Sequence, residues 1–145
     1  MQGNDFLILA GKLAAQTANG PAGFRTSVSR AYYGAYHLAR QYLATIKIHC
    51  PGSCANEHLW VQRMFRNCET ASGIEIVILL ANLHDSRKVA DYDLQRQEVE
   101  SQQNAQTCSL RADEIKKRLN SCSETAIQSD IKQGIHKYRK QMREE

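Results

Sequence analysis

The chain has 145 residues, 42% hydrophobic and 23% charged, with a formal net charge of +4. That length gives one domain able to build a core without staples, so residues 1–145 are expected to fold as a single unit. No apolar run approaches about 18 residues and no basic segment precedes an apolar N-terminal stretch, so a membrane span or a secretion signal is not expected and a cytoplasmic location is. Two prolines and eight glycines leave long uninterrupted segments, which favours helices.

A first helix is expected after Asn4 or Asp5 as cap, with Phe6, Leu9, Ala10, Leu13 and Thr17 recurring on one face. Asn19-Gly20-Pro21 is expected to end it, because glycine takes a left-handed turn and proline cannot continue the ladder. The second helix spans roughly Ala22 to Thr45. At 100° per residue, Val28, Tyr32, Ala35, Ala39, Tyr42 and Ile46 form an apolar stripe. The opposite stripe carries Arg30, Tyr33, His37, Arg40 and Gln41. Arg30 and His37 are seven residues apart, two turns, and point the same way. No carboxylate lies between Asp5 and Glu57. Such a face is either an ordinary solvated surface or a site for an anion.

Residues 46–55 break the periodicity and read as the longest loop. A short third helix fits 56–68, with Asn56 as cap and Leu59, Trp60, Met64 and Phe65 buried. Residues 74–83 run three β-branched side chains together, which would suit a buried strand. No other segment alternates to pair with it, so a helix from about Gly73 to Ala90 is preferred. A long polar helix follows over about 96–120, with the stripe Ala105, Cys108, Ala112, Ile115 and Leu119. Ser123 is expected to cap a last helix that buries Ile127, Ile131, Ile135, Tyr138 and Met142. Lys137, Arg139, Lys140 and Arg143 near its end suit the helix dipole, or form a basic patch. The fold class is all-α, a bundle of five or six helices.

Charge is unevenly spread. Residues 1–66 hold seven Lys/Arg against two Asp/Glu, whereas residues 67–145 hold twelve against thirteen. The positive excess belongs to the half containing the second helix, which is compatible with a nucleotide or RNA partner. Five cysteines, an odd number, read as free thiols. His49, Cys50, Cys54 and His58 surround a Pro51-Gly52 turn and are all zinc-competent types. Adjacent His49 and Cys50 rarely both reach one ion, so a loop with incidental thiols is expected, and no metal or other cofactor.

The segment S-R-A-Y-Y-G-A-Y-H-L-A-R at Ser29–Arg40 resembles the second-helix signature of the HEPN superfamily, small helical bundles associated with nucleotide binding. A second block, S-R-K-V-A-D-Y-D-L at Ser86–Leu94, resembles the R-x-x-A-D-Y stretch closing the fourth helix of small stand-alone prokaryotic members. Glu57-His58-Leu59-Trp60 falls where those members begin their third helix. The resemblance implies an antiparallel four-helix-bundle core with one or two additional short helices, frequently paired as a homodimer.

It also implies two functions. Many members are metal-independent endoribonucleases, often toxins of toxin–antitoxin or defence systems, in which an Arg-x(4–6)-His motif supplies the chemistry. Histidine moves the proton of the 2′-hydroxyl attack and arginine holds the phosphate. Arg30 and His37 are the positions that match, with Tyr33, Arg40 and Arg87 expected to help bind RNA. In catalytic members the motif generally lies on a later helix with a polar residue after arginine. Here Ala31 follows, and the alternative is a non-catalytic nucleotide- or partner-binding module working with a nucleotidyltransferase or an antitoxin. For the second block, Arg87 and Asp91 form either an ordinary i, i+4 helix pair or part of the site. In the latter case Asp91 or Asp93 pairs with Arg30, Tyr92 packs beneath, and the three orient the site.

Overall fold

The computed structural model describes residues 1–143, which form six α-helices and no strand. They are α1 (Gly3–Ala15), α2 (Gly20–Thr45), α3 (Glu57–Arg66), α4 (Ala71–Tyr92), α5 (Gln102–Ser121) and α6 (Thr125–Gln141), with short 3₁₀ turns at Thr17–Asn19 and Gln97–Glu100. Helix α2 is the hub. It packs against α1, α4 and α5, so its apolar stripe is covered on several sides. Val28, Tyr32, Ala35, Ala39, Tyr42 and Ile46 are all buried, as its periodicity predicts. The ambiguous 74–83 segment is helical, and Ile76, Val77 and Leu80 enter the core while Ile74 and Ile78 face out.

Four boundaries differ from the sequence reading. Gly20-Pro21 opens α2 instead of ending α1: proline sits in the first turn, where its missing N–H costs nothing and its φ is already helical. Gly20 takes φ +63° to make the entry. The polar stretch from 96 divides into a 3₁₀ turn and α5, which starts where Ser101 accepts a hydrogen bond from the Asn104 N–H. Glu124, not Ser123, stands at the start of α6, and Ser123 donates back to the Leu119 carbonyl. Gln2, not Asn4 or Asp5, caps α1, and Asp5 stands inside the first turn, accepting from the Gln2 backbone N–H at 2.7 Å. Asn56 and Thr70 cap α3 and α4 through their side-chain oxygens.

Helix α1 is also rotated from its expected face. Leu7, Ala10 and Ala14 are buried, whereas Leu9 is 43% exposed. The close approach of α1 to α2 selects this line: a Cβ on Gly34 would meet Leu7 Cδ2 at 2.5 Å and the Gly3 carbonyl at 3.0 Å. Ser27 locks the crossing by donating to the Ala10 carbonyl at 2.8 Å. In α3, Trp60, Met64 and Phe65 are buried and Leu59 is exposed; in α6, Ile131 and Ile135 are buried and Met142 is exposed. The α5 stripe from Ala105 to Leu119 is buried throughout.

The deepest polar tie is Arg25. Its guanidinium donates to the carbonyls of Val89, Ala90, Asp93 and Arg96 and to Glu100 Oε1, over 2.8–3.2 Å. A cation on the last carbonyls of α4 complements the negative end of that helix. The contact fixes the 93–100 connection against α2 and so sets where α4 presents Arg87.

Candidate functional site

Two sets of side chains meet along the outer face of α2. The first is a ladder of guanidinium groups and rings. Arg30 lies over the rings of Phe6 and Tyr33 at 5.3 and 5.2 Å, and Arg87 lies over Tyr33 and Tyr92 at 5.0 and 5.3 Å. Contacts of this kind contribute about 0.5–2 kcal/mol, increasing as water is excluded. Arg87 also donates to the Tyr33 hydroxyl at 2.5 Å and pairs with Asp91 at 2.8 Å. Ser29 donates to the same Asp91 carboxylate at 3.2 Å.

This arrangement corrects the expected Arg30 pairing. Asp91 takes Arg87 and Ser29, and the Asp93 side chain accepts the Gln95 N–H while its carbonyl serves Arg25. Geometry decides the outcome: Arg87 stands one helical turn from Asp91, and Arg30 reaches sideways to the aromatic rings of α1 and α2. Among the described residues Arg30 pairs with no carboxylate, its Nε is buried without a partner, and its one polar contact is a long 3.4 Å approach to Ser29. Tyr92 is 72% exposed and stacks on Arg87, not under an Arg30 pair.

The second set is a stack of histidines and tyrosines. His37 stacks on Phe6 at 5.6 Å and touches Tyr36 at 5.1 Å. Phe6 of α1 therefore contacts both Arg30 and His37. His58 packs on Tyr36 at 4.1 Å, and its Nδ1 lies 2.7 Å from the Tyr32 hydroxyl. His84 stacks on Tyr32 at 4.8 Å, and Gln62 Nε2 donates to its Nδ1 at 3.0 Å. His58 and His84 are themselves 5.7 Å apart.

Burial sets the protonation of this stack. It raises the Tyr32 phenol, with Tyr36 adding to the effect, and pushes Tyr36 up to about 12, so both keep their protons. The same desolvation, reinforced by Lys88, His58 and Arg87, lowers His84 to about 4. His58 is lowered by burial and then by Arg87, and His37 by burial and then by Arg40. All three histidines favour the neutral form, in which one ring nitrogen accepts and the other donates.

Beyond His37 the face opens into a groove of about 420 Å³ lined by residues including Arg40, His49, Cys50, Glu57 and Trp60. Within this lining Arg40 donates to Glu57 at 2.6 Å. The structure thus brings Arg30, Tyr33, His37, Arg87, Asp91 and Tyr92 to one face, extends that face to Arg40, and leaves Asp93 outside it. Among the described residues there is no group of three or more His, Cys, Asp or Glu side chains placed to hold a metal ion, and His58 Nδ1 lies 2.7 Å from the Tyr32 hydroxyl. Phe6, Tyr36, Gln62 and Glu57 went unread as site residues. Only Phe6 carried a visible signal, as an aromatic on α1, and its role depends on the rotation of that helix.

At the other end of the chain, Lys137 pairs with Glu69 at 3.0 Å, which ties part of the α6 basic cluster to the α3–α4 connection. No described helix is long and apolar enough to cross a membrane. No family model matches the chain, and no curated protein or solved structure matches it either.

Proposed function

We propose that the chain is a HEPN-like domain with an antiparallel four-helix core, and that the α2 face binds RNA and cleaves it without a metal. The observation that carries this reading is Arg30, a half-buried guanidinium stacked between rings, with no carboxylate to neutralise it among the described residues and His37 two turns along the same face. A phosphate is the natural partner for such a group, because the planar fork meets two oxygens at once. The rings of Phe6, Tyr33 and Tyr92 offer stacking surfaces for unpaired bases.

In this mechanism neutral His37 takes the proton of a ribose 2′-hydroxyl, and the oxygen attacks the adjacent phosphorus. The bond to the 5′-oxygen breaks, and the departing oxygen takes the proton that His37 accepted, which returns the ring to its neutral form. Arg30 holds the non-bridging oxygens as their charge grows. Tyr33, Arg40 and Arg87 bind the flanking strand, and Asp91 with Tyr92 orients Arg87. Lowered basicity suits His37 to the first step, since it is already unprotonated at neutral pH.

One observation favours a second reading, a non-catalytic module that holds a nucleotide for a separate nucleotidyltransferase or docks an antitoxin. Among the described residues no hydrogen bond orients the His37 ring, which is held by stacking. A single-stranded RNA incubated with protein in excess EDTA separates the two. Cleavage that disappears in His37→Ala, with RNA still bound and the thermal midpoint nearly unchanged, supports the nuclease. Binding that requires Arg30, with no cleavage by either protein, supports the module. Failure to retain RNA or nucleotide overturns both.

A further inference from the structure

The loop between α2 and α3 carries two thiols that RNA binding does not use. Cys50 and Cys54 flank Pro51-Gly52-Ser53, where the Cys54 N–H donates to the Pro51 carbonyl at 3.0 Å and closes a turn. Both ends of the loop are held. Ile48 is buried and its N–H donates to the Leu43 carbonyl at 2.9 Å, and Asn56 caps α3. With fixed ends and a turn between them, the two cysteines fold back on each other. The Cys54 thiol is hydrogen-bonded to that of Cys50, and both side chains pack half-buried against the same core. Cys68, Cys108 and Cys122 are fully buried by comparison. Cys50 lines the groove that holds His37 and Arg40, Cys54 lines a neighbouring groove with Arg63, and Trp60 borders both. The pair therefore stands where two grooves meet.

We propose that Cys50 and Cys54 are a redox-active dithiol that closes to an internal disulfide by exchange with a small-molecule disulfide such as glutathione disulfide. The step is independent of what the α2 face binds. A disulfide needs Cα atoms about 4.4–6.8 Å apart and side chains directed at one another. The turn supplies the chain reversal, and the thiol–thiol hydrogen bond supplies the direction. Burial, and after it the Cys54 thiol, pushes Cys50 up to about 12, so Cys50 keeps its proton and Cys54 opens the exchange. Cys54 releases its proton to solvent, and its sulfur attacks one sulfur of the small disulfide. That S–S bond breaks, and one thiolate leaves and is protonated by solvent. In the mixed disulfide Cys54 no longer holds the Cys50 proton. Cys50 then releases it and attacks the Cys54 sulfur, and the second thiolate leaves and takes up a proton. Two cysteines are oxidised by two electrons, and the small disulfide is reduced to two thiols.

Trypsin cuts after Lys47 and Arg63, so one peptide holds these two cysteines and no other. The experiment incubates the reduced chain with glutathione disulfide, blocks remaining thiols by alkylation, and weighs that peptide. The expected product is the peptide two hydrogens lighter and unalkylated, with free thiols falling from five to three and dithiothreitol restoring both. Cys50→Ser should stop at a lasting glutathione adduct on Cys54. Cys54→Ser should leave Cys50 reacting at least about tenfold more slowly than Cys54 does in Cys50→Ser. In urea, where the turn is lost, the ratio of internal disulfide to adduct should fall at least about threefold. Lasting adducts in place of the internal bond, no reaction, or a disulfide through Cys68, Cys108 or Cys122 would overturn the proposal. Equal rates in the two variants overturn the order of attack, and an unchanged ratio in urea overturns the part assigned to the fold.

Discussion

Two arginines five residues apart on α2 have opposite fates. Arg25 is 8% exposed, and its donors are engaged by Glu100 and four backbone carbonyls from the end of α4 onward. Arg30 is half-buried between rings and is matched by no carboxylate among the described residues. The side chains are identical and so is the helix; only the neighbours differ. A guanidinium whose donors are all used holds the fold together. One whose Nε is unpartnered, whose single polar contact is long, and whose faces are covered by rings has donors to spare, as the RNA proposal requires. The contrast separates a structural cation from the one on which the RNA proposal rests.

Arg25→Ala should produce the largest loss. It leaves Glu100 and the carbonyls of Val89, Ala90, Asp93 and Arg96 without their donor, and breaking a buried pair costs about 3–5 kcal/mol. Urea denaturation should show it, and an unchanged midpoint would abolish the contrast. Glu100→Ala is smaller, about 1.5–3 kcal/mol, because it removes one charged hydrogen bond and leaves the carbonyl contacts in place. A loss equal to that of Arg25→Ala would mean that the ion pair, not the carbonyl cradle, matters.

A pH effect comes next and belongs to the Arg30 side. His84 is lowered to about 4 by burial and by Lys88, His58 and Arg87, against about 6.5 in an unfolded chain. Between those values the unfolded state binds the extra proton, so stability present above pH 6.5 is lost as pH falls toward 4. His37 and His58 are displaced in the same direction. Melting midpoints over that window should decline, and His84→Gln should flatten the slope. Arg30→Ala should change stability least, by under about 1 kcal/mol, while reducing RNA affinity and lowering the salt slope by about one. A stability loss comparable to that of Arg25→Ala would show that Arg30, too, is structural.

Much of this was legible in residue spacing. The stripes of α2 and α5 recur so regularly that every predicted member is buried. The 74–83 segment is legible as a helix because no other segment alternates to pair with a strand there. The buried face of helix α1 is not legible in its spacing, because Phe6, Leu7, Leu9 and Leu13 give it apolar side chains on several faces, and the Gly3–Gly34 contact chooses among them. The role of Arg25 is invisible in the sequence because four of its five acceptors are backbone carbonyls, which leave no mark there. For the Asp91 pairing, the i, i+4 option to Arg87 was visible beside the Arg30 option, and proximity along the helix decided it.

The sequence by itself determined an all-helical chain, the buried face of its central helix, and a carboxylate-free opposite face bearing Arg30, Tyr33 and His37. Those properties follow from local periodicity and composition, which need no knowledge of distant contacts. Only the tertiary structure decided that Phe6 stands against both Arg30 and His37, that Arg87 and Tyr92 complete the ladder, and that α3 brings Glu57 and Trp60 to the groove beside His37. Each of those depends on how one helix is rotated against another, and rotation is fixed by packing at a few close contacts.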